Sequence, residues 1–290
     1  MKEFEDRYSI GGHSIVVCGE KLCSAVAQMS GFSPFAGDEG DVCLSFMYSD
    51  EKLGVDDARL LYSSENDGVV SEFYSVGNAG DLFCHRMVYT SGEELVMIIR
   101  RENGTALISG DLMPQMLRFA LWIGYGTCVA GMGTVAVHSS CIVCNGKAVL
   151  FLGESGTGKS THTRLWRENV AGAELLNDDS PVLRVIDGNI YIYGSPWSGK
   201  TPCYKPQRYE LAAVVRLFQA PENSIRRLPL AMAYGALHPS CPPDFAYSSQ
   251  LYDGISWSIG KVLESVPVYL LGCLPDAAAA RMVYREVFGE

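Results

Sequence analysis

Residues 148–161 read Ala-Val-Leu-Phe-Leu-Gly-Glu-Ser-Gly-Thr-Gly-Lys-Ser-Thr. An unbroken apolar run opens into a loop with glycines at 153, 156 and 158, and the loop closes on Lys159-Ser160. Such a run suits a strand buried on both faces. Residues 159–168 suit a helix. A strand, a glycine loop and a helix in that order require a sheet with a helix laid against it, so this part of the chain reads as α/β.

The loop fits G-x-x-x-x-G-K-[ST] in full. Glycines let backbone N–H groups curl round phosphate oxygens without side-chain clash. The helix N-terminus adds the positive end of its dipole. Gly153, Glu154, Ser155, Gly156, Thr157, Gly158, Lys159, Ser160 and Thr161 are therefore the candidate nucleotide-binding residues. Lys159 suits the β- and γ-phosphates of ATP, and Ser160 suits Mg²⁺. ADP or pyrophosphate satisfies the same pattern. A glycine-rich turn with a chance lysine is the plain alternative; the complete, correctly flanked match argues against it.

Asn177-Asp178-Asp179 follows a short apolar run, with Asp178 eighteen positions after Ser160. Carboxylates at a strand end beside a phosphate loop suit a metal ligand or a catalytic base. Adjacent residues on a strand point to opposite faces, so at most one aspartate faces the nucleotide unless the strand has already ended. A polar turn before Pro181 is the bland reading. Mg²⁺ bound to phosphates ordinarily takes a protein carboxylate, which favours the functional one.

A chain of 290 residues is long enough for two domains. Residues 1–110 read as a β-rich domain of antiparallel strands, with runs at 14–17, 42–48, 82–90 and 94–99 separated by turn residues. His13 and His85 stand alone there and read as surface or packing residues. Residues 111–290 read as the phosphate-binding domain. A helix over 114–124 links the halves. Residues 135–143 read as one strand, paired through the turn Asn145-Gly146 with 148–152. A strand at 175–176 and a hairpin of 182–186 with 189–193 around Asp187-Gly188 follow. Further elements are expected at 211–218, 228–237, 258–266 and 275–287.

Hydrophobic residues make up 48% and charged residues 19%, which a folded domain needs and a disordered chain lacks. A net charge of -10 argues against nucleic acid as a partner. The first residues lack an apolar leader, and the apolar stretch 117–137 is broken by four glycines, so no membrane partner and a cytoplasmic setting are expected. The ten cysteines have no repeating frame and read as reduced thiols. Cys141 and Cys144 form a lone CxxC with no second pair to complete a zinc site, so core packing is the reading.

The order His138, strand, Gly-Glu-Ser-Gly-Thr-Gly-Lys-Ser, then Asn-Asp-Asp resembles the catalytic domain of HPr serine kinase/phosphorylase, whose P-loop relatives include the phosphoenolpyruvate carboxykinases. The resemblance spans roughly residues 135–215. The segment Tyr193-Gly-Ser-Pro-Trp-Ser-Gly-Lys-Thr201 is similar to one in HPr-kinase-related bacterial proteins that also begin with a β-rich region. The resemblance implies an α/β P-loop domain of that type, α+β for the chain overall. It implies Asp178 as the base for an acceptor hydroxyl, Asp179 as its helper and a metal ligand with Ser160, and His138 beside the phosphates. A histidine packed under the sheet is the other reading of His138. Lys200 and Arg208 reach the acceptor or the phosphate, or are solvated loop charges. His162 faces solvent from the helix, and Trp197 shapes a pocket wall or packs.

Two departures stand out. Thr161 replaces the acidic residue that the family carries after the loop serine, and Tyr191, Tyr193 and Gly194 stand near the family's Glu-x-Arg-Gly signature. The phosphorylase direction and HPr as acceptor therefore stay open. The expected reaction is Mg²⁺-dependent phosphoryl transfer from a nucleotide to a serine-type hydroxyl of a protein, peptide or small molecule. A carboxykinase-like small-molecule enzyme and a regulatory nucleotide-binding module are the alternatives. Homo-oligomerisation is allowed.

Overall fold

The computed structural model describes residues 4–38, 40–54, 57–77, 80–199 and 201–289. It divides into two compact units, Met1–Met132 with Pro243–Gly254, and Gly133–Pro242 with Ile255–Glu290. Helices and strands mix in both, and each is built round its own sheet.

The first unit contains β1 (Glu5–Ile10), β2 (His13–Cys18), α1 (Glu20–Ala27), β3 (Val42–Tyr48), β4 (Ala58–Asn66), β5 (Val69–Val76), β6 (Leu82–Tyr89), β7 (Glu94–Arg100), β8 (Thr105–Gly110) and α2 (Pro114–Val129). Its sheet runs β1-β2-β3-β8-β7-β6-β5-β4. The expectation of antiparallel strands needs correction, because β3 is parallel to both β2 and β8. Between β2 and β3 the cause is α1, which the sequence reading missed. A parallel neighbour needs a crossover, and this eight-residue helix supplies part of it while burying Leu22, Cys23 and Val26.

Helix α2 runs past the expected end at 124 and packs in the first unit, so the compact division falls after Met132 rather than at 110/111. Its glycines do not end it. A Cβ at Gly124 would sit 2.7 Å from the Phe46 ring and 3.3 Å from Met97 Sδ, so glycine there lets the helix approach the sheet. Phe245 belongs to the same unit and packs on Phe73 at 5.6 Å between ring centres. His13 and His85 are both buried. His85 shares a 2.8 Å hydrogen bond with Ser71, and burial pushes its pKa down to about 3.

The second unit contains β9 (Thr134–Ala136), β10 (Ser140–Cys144), β11 (Lys147–Leu152), α3 (Lys159–Asn169), β12 (Glu174–Asn177), β13 (Val182–Ile186), β14 (Asn189–Tyr193), β15 (Arg208–Gln219), β16 (Ser224–Arg227) and α4 (Leu230–Leu237). Helix α5 (Ser249–Ser265) contains the division at Ile255, and β17 (Val268–Cys273) and α6 (Ala277–Phe288) complete the chain. The main strand order is β12-β10-β11-β15-β14-β13-β9, with β17 beside β15 and β16 beside β17. Strand β15 is parallel to both β11 and β17. Strand β17 had no counterpart among the expected elements.

Both hairpin turns form. Asn145-Gly146 and Asp187-Gly188 all have positive φ, and they join β10 to β11 and β13 to β14. The single strand expected over 135–143 is instead two, β9 and β10. Between them Val137 N donates to Pro181 O, His138 N to Ser240 O and Ser139 N to Asp179 O. The opposite chain bends at 178–181, and the ladder opens there. The core beneath includes Phe151, Leu165 and Trp166, with α6 contributing Ala280 and Val283. Cys141 and Cys144 are buried in the core.

No helix among the described residues is long and apolar enough to cross a membrane.

Candidate functional site

The loop leaves β11 at Gly153. A Cβ at that position would run into the Thr157 hydroxyl, so only glycine fits. Gly156 and Gly158 follow at φ 81° and 104°. Thr157 closes the turn, its N–H and hydroxyl donating to Glu154 O at 3.2 and 2.8 Å. Gly158 then caps α3, whose first turn has no acidic residue and no side-chain cap. The opening amides of a helix lack intrahelical partners, and here no carboxylate answers them. Ser155, Gly156 and Ser160 are exposed, and Thr161 is half-buried.

Lys159 folds back over the loop. Its ammonium donates to Gly153 O at 2.7 Å, to Glu154 O at 3.3 Å and to His138 Nε2 at 3.1 Å. An ammonium has donors only. Nε2 must therefore be the unprotonated ring nitrogen, and Nδ1 carries the proton. Nδ1 faces Asp179 Oδ1 at 3.2 Å. Asp179, His138 and Lys159 thus form one chain of contacts. Burial pushes the Lys159 pKa down; Asp179, Glu154 and Asp178 oppose that shift, and Arg216 adds to it.

Strand β12 ends at Asn177, so the two aspartates lie on a turn and escape strand alternation. Asn177 builds the turn. Its Oδ1 accepts from Asp179 N at 2.9 Å and Ser180 N at 2.8 Å. Its Nδ2 donates to Ser195 O at 3.3 Å and Trp197 O at 3.1 Å. Asp178 is 6% exposed. Ser140 Oγ donates to Asp178 Oδ1 at 2.7 Å and lies 3.1 Å from Thr163 Oγ1 on α3. Asp178 Oδ2 is buried with no hydrogen-bond partner among the described residues. Asp179 is more open, with 42% of its side chain exposed.

The segment after β14 packs against this turn. A Cβ on Gly199 would lie 3.0 Å from Asp178 O and 3.2 Å from Asp179 Cβ. Trp197 is buried. Lys200 lies outside the described residues. Arg208 turns to the tyrosines, donating to Tyr193 OH at 3.0 Å and stacking 5.1 Å from the Tyr191 ring centre. His162 does not face solvent. It is buried against Phe151, accepts from Trp166 Nε1 at 3.2 Å, and has a pKa lowered by burial to about 4.

The structure thus brings His138, Asp179 and Lys159 into direct contact, with Asp178 within electrostatic reach of Lys159. Sequence reasoning gave no role to Ser140, Arg216 or Gln219, and took Asn177 only as part of a polar turn. Arg216 Nη2 donates to Glu154 Oε1 at 2.6 Å, and Gln219 Nε2 to Gly156 O at 3.3 Å. Asn177 carried a usable signal, since asparagine caps turns two residues on. Arg216 and Gln219 carried none. The loop also borders a pocket of about 380 Å³, to which the ends of β15 and β17 bring Gln219, Ala220 and Leu274.

No family model matches the chain, and no curated protein matches it. Among solved structures, the HPr(Ser) kinase/phosphatase from Coxiella burnetii is similar over 52% of this chain and 94% of its own, at 13% identity and a TM-score of 0.33.

The described residues contain no group of three or more His, Cys, Asp or Glu that would cage a metal by themselves. Mg²⁺ makes a lesser demand, since it usually takes one or two carboxylates, waters and substrate phosphates. The half-open Asp179 carboxylate and the exposed Ser160 hydroxyl fit that mode.

Proposed function

We propose that the second unit binds a nucleoside triphosphate on the loop from Gly153 to Ser160 and transfers a phosphoryl group to a hydroxyl of serine type. The observation that carries this reading is the chain from Lys159 through His138 to Asp179. It ties the loop lysine to the Asp-Asp turn. Phosphoryl transfer needs phosphates held on one side of the reacting centre and an acceptor oriented on the other, and catalysis is mostly positioning and charge neutralisation.

Loop amides and the Lys159 ammonium grip the β- and γ-phosphates. Lys159 exchanges carbonyl oxygens for phosphate oxygens as it does so. Asp178 Oδ2 accepts the proton of the acceptor hydroxyl while Ser140 holds the other carboxylate oxygen. The acceptor oxygen forms the new P–O bond, and the bond to the departing diphosphate breaks. His138 fixes Lys159 and Asp179 relative to one another. Ser160 and Asp179 would hold Mg²⁺ beside the phosphates, where it supplies neutralisation of their charge. The neighbouring pocket suits the nucleoside, which favours ATP or another nucleotide over pyrophosphate.

Calorimetry with Mg-ATP, Mg-ADP and pyrophosphate, followed by transfer assays on serine peptides, free serine and small carboxylic acids, tests the reading. Binding with transfer to a hydroxyl supports it. Transfer only to a carboxylic acid moves the protein to the carboxykinase class, and binding without turnover makes it a regulatory module. Indifference to every phosphate compound ends the reading.

A further inference from the structure

The second loop residue is an acid. Glu154 follows Gly153 directly, in a loop read as gripping polyphosphate. A carboxylate there repels an incoming phosphate unless something holds it. Arg216 does so. Its Nη2 meets Glu154 Oε1 at 2.6 Å, and its Nη1 donates to Ala236 O at 3.0 Å. The two contacts are unequal in kind. Arg216 is well covered, with 21% of its side chain exposed, whereas 76% of Glu154 is exposed. One nitrogen is anchored on a backbone carbonyl, and the other presents its protons towards the loop.

Strand pairing sets this position. Parallel β11 and β15 place Leu152 opposite Arg216, one residue before the loop opens. Three residues along β15, Gln219 reaches Gly156 O, so the strand lines one flank of the loop. Arg216 is also close enough to Lys159 to disfavour its ammonium. Two cations therefore share the site, and protein acceptors cover both. Lys159 is on two carbonyls and His138, and Arg216 is on Glu154.

A guanidinium offers carboxylate and phosphate the same fork of donors. An exposed carboxylate on a mobile stem is the partner that yields, because exposed ion pairs are weak. We propose that Arg216 is a second phosphate-binding cation of this site and that Glu154 is its built-in counter-ion, displaced when a phosphate oxygen takes its place. The proposal rests on the phosphate-site reading above. It adds a residue that the loop motif does not contain, and a competition within the chain that lowers nucleotide affinity.

The test is calorimetric binding of Mg-ATP and of inorganic tripolyphosphate to the full chain. It compares wild type, Glu154→Gln, Arg216→Gln and the double variant, with circular dichroism to confirm folding. Glu154→Gln should tighten both ligands by about two- to fivefold, the scale of one released charge pair. Arg216→Gln should weaken both by about tenfold or more. In the Glu154→Gln background Arg216→Gln should still weaken both ligands by about tenfold or more. No loss there would mean that Arg216 only neutralises Glu154 and would overturn the proposal. So would wild-type affinity in Arg216→Gln. If Arg216→Gln fails to fold, Arg216→Lys decides, because a point charge without the fork should recover only part of the affinity; full recovery overturns the proposal. Wild-type protein that binds neither ligand removes the phosphate-site reading itself, a result distinct from any of these.

Discussion

Each unit contains a strand that turns into a helix through glycine, and the two turns are built for different ends. In the first unit β2 passes through Gly19 alone into α1, and Glu20 lies in the first helical turn. The carboxylate answers the positive end of the helix dipole. The lysine that follows, Lys21, donates to Tyr48 OH at 2.6 Å and lies over its ring. In the second unit β11 passes through Gly153, Gly156 and Gly158 into α3, whose first turn holds no acid. Its lysine folds back over the loop towards His138. The same local grammar therefore makes a packing turn in one place and an open, positively biased cradle in the other. Length of loop and placement of one carboxylate separate the two.

Matched substitutions at these turns should have unmatched effects. Lys159→Ala should weaken nucleotide binding by about two orders of magnitude or more and abolish transfer. Lys21→Ala, checked by the same titration, should leave binding unchanged. Equal losses would erase the contrast. Asp178→Asn should keep nucleotide affinity and slow transfer by about 10²- to 10⁴-fold, the usual share of a general base. Unchanged single-turnover rates in that variant would remove Asp178 from the chemistry.

The glycines sharpen the comparison at the level of stability. Gly153→Ala forces a Cβ onto Thr157, and Gly124→Ala forces one onto Phe46 and Met97. Each should cost about 1–3 kcal/mol in denaturant unfolding, the usual scale for strain and overpacking. Only the Gly153 variant should also lose nucleotide affinity.

A separate effect concerns acid stability. His162 has a folded pKa of about 4, below its ordinary 6.5. Its contribution is complete above pH 6.5 and is lost as the pH falls from there towards 4, because the unfolded chain takes up the proton first. The loss is on the order of 3 kcal/mol for the whole window. His162→Gln keeps an acceptor for Trp166 and should flatten the melting temperature across that range. In the first unit the buried pair of opposite habit, His85 at about 3 and Asp244 at about 6, partly cancels over the same interval.

Much of the local structure was legible in residues 145–188. Asn145-Gly146 and Asp187-Gly188 announced their turns because positive φ at both positions favours those residue types. The apolar run before Gly153 announced a strand, and the residues after Gly158 a helix. The failures have physical causes too. Helix α1 is too short for a clear period, and Gly124 in α2 looked like a break when it is a point of close approach. His162 looked solvent-facing because polarity suggests exposure, yet its bond with Trp166 satisfies it inside.

The chain order alone determined that residues 153–158 form a glycine loop between strand and helix, since each requirement there is met by neighbours within a few positions. Tertiary structure decided what surrounds the loop. His138 meets Lys159 across 21 positions, Ser140 meets Asp178 across 38, and Glu154 meets Arg216 across 62. Those meetings depend on which strands lie side by side and in what register. Hydrophobic alternation marks the buried face of a strand but not its neighbour, so only the assembled sheet places these side chains together.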